Sequence, residues 1–116
     1  MSERQQILDD KHFWTRLEYA ASRWLEDSED QNHRSFWVDG LLPETAADTK
    51  TGIEVQGVAW VGDGPRWQAS YRFTALLPGK LIQDHKANFR IEQLVLDQEE
   101  EELRIVAELL TQTSAH

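Results

Sequence analysis

The chain has 116 residues and a mass of 13.5 kDa, carries a formal charge of −9 from 21 acidic against 12 basic residues, and contains no cysteine. That length bounds it to one domain, and the missing cysteine excludes disulfides, thiolate catalysis and cysteine-based zinc sites. The acidity is spread over both halves and the basic residues stand singly, so neither nucleic acid nor an anionic membrane surface is expected as a partner.

Residues 1–26 read as one long helix. Ile7, Trp14, Leu17, Ala21, Trp24 and Leu25 follow the spacing of an apolar helical stripe, and Phe13 and Ala20 widen it. Asp9, Arg16, Arg23 and Glu26 fall on the opposite, wet face, and Ser2 with Gln5 has the spacing of a capping box. Glu3, Arg4, Asp9, Asp10, Lys11 and Arg16 leave no signal-peptide core here, and no apolar run approaches the ~20 residues of a membrane helix. Cytoplasmic residence is the resulting expectation. Residues 26–34 are polar and turn-rich and read as a loop. Residues 35–43 form the next strand, stopped by proline, with Phe36 and Val38 on one side and Trp37, Asp39 and Leu41 on the other. The PETAADTKTG stretch, 43–52, has loop composition.

Residues 53–61 and 66–77 form a hairpin around Gly62-Asp63-Gly64-Pro65. In its second arm Trp67, Ala69, Tyr71, Phe73, Ala75 and Leu77 alternate with Arg66, Gln68, Ser70, Arg72 and Thr74, the pattern of a strand with one buried and one wet face. The first arm leaves two registers open. A bulge near Gly57 brings Val58 and Trp60 onto the face of Ile53 and Val55, whereas an unbulged strand leaves Trp60 outside. Residues 78–88 connect to a strand at 89–96. The last segment, 98–110, reads two ways. Asp97 with Glu100 can cap a helix striped by Leu103, Val106, Ala107 and Leu110, while pairing of LVL with LRIV makes it a strand of a second hairpin.

These elements predict an α+β domain, one long N-terminal helix packed on a curved antiparallel sheet of four to five strands over 35–110. Each half then hides the other's apolar face. In outline the arrangement is similar to cystatin-like and NTF2-like folds. No motif is shared with either, so the resemblance implies shape and no activity.

No constellation of catalytic type stands out. His12 has Asp9 and Arg16 one turn away, which is too few ligands for a metal, and there is no HExxH. His33 and His85 lie in polar loops, and the Glu99–Glu102 run lacks the alternating oxygens and central glycine of a calcium loop. The serines have no GxSxG setting and the glycines form no nucleotide loop. No cofactor and no metal is expected. Two features remain. Asp39 is a carboxylate inside the apolar FWVDGLL strand, and the strand aromatics exceed what one core face needs, with Trp37 and Trp60 outside in the unbulged register. The expected site residues are therefore Trp37, Trp60, Asp39, Trp67, Tyr71 and Arg72. The leading expectation is a non-catalytic binding domain that forms a homodimer or captures a protein partner, its acidity favouring a basic one. The alternative is a small-molecule pocket, open to enzymatic use, between helix and sheet. Trp14, Trp24, Trp67 and Tyr71 would line it, with Asp39, Arg72 or His85 as polar members.

Overall fold

A computed structural model describes residues 3–29, 33–63, 67–84 and 87–110. The N-terminal helical segment is two helices, α1 (Glu3–Asp9) and α2 (Lys11–Glu26), where the sequence predicts one. The interruption is chemical. Asp10 turns out of helical geometry and its side chain accepts from the Phe13 N–H at 3.1 Å, capping α2. The Ile7 carbonyl, left at the end of α1, accepts the Trp14 indole N–H at 2.7 Å. The Ser2 capping box involves a residue outside those described.

The strands are β1 (Phe36–Asp48), β2 (Gly52–Asp63), β3 (Trp67–Pro78), β4 (Phe89–Asp97) and β5 (Glu102–Leu109), with a short α3 (Gly79–Gln83) after β3. They form one sheet in the order β1-β2-β3-β5-β4. β1, β2 and β3 are successive antiparallel neighbours, and β4 pairs antiparallel with β5. β3 and β5 are parallel, so the sheet is mixed and the all-antiparallel expectation is corrected. The connection through α3 leaves a gap one strand wide between β3 and β4, and β5 turns back from β4 into it, running necessarily with β3. Of the two readings of the last segment, the chain adopts the strand. Asp97 caps a turn instead of a helix, its Oδ1 accepting from the N–H groups of Glu99 and Glu100, and Glu101 closes the turn in the left-handed region at φ 52°.

β1 also corrects the sequence reading, since it continues through Pro43 to Asp48 where a loop is predicted. Its pairing with β2 slips at Asp39 and again at Glu44. Proline is tolerated because β1 is an edge strand and Pro43 adjoins an irregularity. The slip at Asp39 moves Leu41 to the side of Phe36 and Val38, where all three are buried. β2 pairs with β3 without interruption from Gly52 to Asp63, so there is no bulge at Gly57. Ile53, Val55, Ala59 and Val61 are consequently buried on one face, and Val58 and Trp60 occupy the other.

The core lies between α2 and this inner face. Phe13, Trp14, Leu17, Ala21 and Leu25 of α2 meet Val55, Tyr71, Phe73, Ala75, Leu103 and Ile105, all buried. Trp14 sets its ring at 5.7 Å from Phe73, and Phe13 at 5.4 Å from Phe89. The α2 backbone comes nearest to β1 and β4, the two margins of the sheet, so the sheet wraps the helix.

Candidate functional site

The face of the sheet turned away from α2 carries the unusual feature. The β1–β2 register sets Trp37 opposite Gly62 and Gly40 opposite Trp60. A Cβ at Gly62 would lie 2.4 Å from Trp37 Cζ2, and one at Gly40 would lie 3.0 Å from Trp60 Cδ1. Each indole therefore lies across the glycine of the other strand, filling the space a side chain would take. The next outer pair is Leu42 with Val58. Trp60 is 44% exposed and Leu42 55%, while Trp37 and Val58 are half-buried. The result is a continuous apolar stripe along β1 and β2 on the solvent side.

Polar groups border it. Asp39 is exposed at its bulge, and its carboxylate accepts a hydrogen bond from the Gln68 amide of β3, passing over β2. Arg72, exposed on β3, pairs with Glu102 of β5 at 2.5 Å. Beside Val58 a hollow of about 450 Å3 opens on the same face, rimmed by Glu44, Gln56, Arg72, Glu102 and Arg104. Of its charged side chains, Arg72 and Glu102 neutralise each other.

Of the six expected site residues, Trp37, Trp60, Asp39 and Arg72 share this outer face. Tyr71 does not; it is buried on the inner face. Burial, and then the carboxylates of Glu101, Asp63 and Asp97, push its phenol above the ordinary tyrosine value. The backbone of Trp67 pairs with Asp63 at the start of β3, and its side chain lies outside the described residues, as does His85. The space between α2 and the sheet is occupied by Phe13, Trp14, Leu17 and Phe73, and among the described residues no Asp, Glu, His, Lys or Arg side chain is buried, the Tyr71 phenol being the buried titratable group. Trp24 lines an open groove at the rim of the molecule, away from Trp14. Among the described residues no three His, Asp or Glu side chains gather as metal ligands, and no helix is long and apolar enough to cross a membrane.

Leu42, Val58 and the two glycines complete the stripe and were not singled out by sequence reasoning. A signal was present in Gly40, a glycine inside an otherwise apolar strand, whereas Gly62 reads as part of the hairpin turn and enters β2 only in the structure. Comparison with known protein families, with characterised proteins and with solved structures finds no match to this chain.

Proposed function

We propose that this chain is a non-catalytic binding domain that docks a protein surface, a second copy or a partner, through the outer face of β1 and β2. One observation carries the reading: two indoles packed against opposing glycines beside an exposed leucine. Tryptophans held this way are already ordered, so closing a partner over them costs little side-chain entropy. An apolar centre with Asp39, Gln68, Arg72 and Glu102 at its border has the anatomy of a protein interface. The net charge of −9 would repel a polyanion and steer a basic protein surface toward the domain.

Light scattering with tryptophan emission and acrylamide quenching across a dilution series tests it. Self-association appears as a mass that falls on dilution together with a red shift of the emission, both absent in Trp60→Ser. A constant monomer with a quenchable Trp60 directs the same face to a different protein. A constant monomer in which Trp60→Ser leaves quenching unchanged refutes the reading, because the indole would then be inaccessible.

A further inference from the structure

The two margins of the sheet end differently. On the β1 side, Ser22 of α2 accepts from the Val38 N–H at 2.9 Å and donates to its carbonyl at 3.1 Å, and Glu18 accepts from the Leu41 N–H at 2.7 Å. Side chains thus seal the backbone that could template another strand. On the β4 side, among the described residues, such a seal reaches only the Ala87 carbonyl, just before the strand. The Leu110 N–H donates to the Asn88 carbonyl at 3.1 Å. In the antiparallel alternation Asn88 and Arg90 then bond to β5, and Phe89 and Ile91 turn their N–H and C=O groups the other way. Arg16 caps the Ala87 carbonyl at 3.2 Å. Among the described residues nothing bonds to the outward backbone groups of Phe89 and Ile91.

A groove of about 670 Å3 runs along this open edge, between Ala20 and Trp24 of α2 and Phe89 and Ile91 of β4. Trp24 belongs to the apolar stripe of α2 and is nevertheless 38% exposed, because it overhangs the groove and no described residue covers it. Asp27 and Glu29 stand at one end. Of the two cations of the groove, Arg90 is paired with Glu108, and the charged form of Arg23 is favoured by Tyr19 first and then by Asp27 and Glu26. Glu29 has no ion pair among the described residues.

We infer that this groove takes an extended basic-apolar peptide segment as an added strand of the sheet. The peptide main chain pairs with Phe89 and Ile91, one apolar side chain packs between Trp24 and Phe89, and a lysine or arginine reaches Glu29. Unpaired strand backbone is matched by strand backbone, and alternate side chains then fall into the groove. A second copy suits the site less well, since it would bring a further −9 of charge to an acidic mouth. The inference is independent of the outer-face reading, which uses the opposite margin and face.

The probes are capped hexapeptides alternating leucine or valine with lysine, a matching set with glutamate, and the lysine set N-methylated on alternate amides. Amide hydrogen exchange by NMR at Phe89 and Ile91 is the readout, with light scattering on the same samples. The lysine set should slow exchange at both amides roughly tenfold, and N-methylation should weaken binding by about the same factor, as loss of main-chain hydrogen bonds implies. Trp24→Ala should weaken it too, and Glu29→Gln, an exposed change that leaves folding intact, should narrow the preference for lysine over glutamate peptides. Three results overturn the inference: no peptide protects the two amides; N-methylation makes no difference; or the amides are protected without peptide in a sample of doubled mass, which gives the edge to a second copy.

Discussion

Two glycines account for the placement of two tryptophans. Any side chain at Gly62 would collide with the Trp37 ring, whose Cζ2 lies 2.4 Å from the Cβ position. Gly62→Ala should therefore displace the indole and destabilise the protein by about 1–3 kcal/mol, the range for overpacking a filled site. A red shift of the native emission reports the displacement, and denaturant unfolding gives the loss of stability. Tyr71 makes a pH prediction. Its phenol titrates higher in the folded chain than in the unfolded one, so between the two values the folded state holds a proton that the unfolded state has lost. This contribution to stability is complete below the unfolded tyrosine pKa, ~10, and is lost as pH rises through the folded value. Stability of the native protein should thus fall above that pH more steeply than that of Tyr71→Phe. Equal slopes in chemical denaturation at pH 9 and 11 would show that burial of the phenol is not felt.

At the scale of elements, local polar chemistry overrode continuous periodicity. The apolar stripe from Ile7 to Leu25 runs through Asp10 without a break, which is why the sequence reads as one helix. Asp10 nonetheless caps α2, and Trp14 takes the carbonyl that the interruption frees. An aspartate pair ahead of Phe13 was the available sign. Asp10→Ala should cost about 1 kcal/mol, as for other lost helix caps, with reduced far-ultraviolet helicity. In β1 the same kind of event decided the faces: one extra residue at Asp39 turned Leu41 inward. The alternation of β3, by contrast, runs in unbroken register with β2 and could be read directly. Ser22 is the clearest link between elements. Ser22→Ala removes two bonds to Val38 and leaves a part-buried edge N–H unmet. A loss of about 1–2 kcal/mol is expected in denaturant unfolding, accompanied by faster amide exchange at Val38.

For the whole molecule, binding and folding should separate. Leu42 is 55% exposed, so Leu42→Lys should change stability by no more than about 0.5 kcal/mol, as surface substitutions do. It places a cation in the centre of the apolar stripe, and should abolish any association made through that face. A variant that loses association and stability together would mean that Leu42 supports the fold. The candidate stripe was partly legible beforehand, since Trp37 and Trp60 alternate away from the core residues in an unbulged register. The indole-on-glycine pairs were not, because the matching of Trp37 with Gly62 and of Gly40 with Trp60 depends on where the bulge at Asp39 falls.

By itself the sequence determined what residue spacing and composition can encode: an amphipathic helical segment, strands in the 35–110 region, an acidic surface, and no cysteine chemistry. The tertiary structure alone decided the rest. Alternation shows that Leu103, Ile105 and Ala107 share a strand face, yet it is the same for a parallel or antiparallel neighbour, so only the chain path sets β5 beside β3. Likewise, Trp24 has the spacing of a core residue and lies half in solvent. A helix position is buried only where another element reaches it, and among the described residues no strand lies beyond β4.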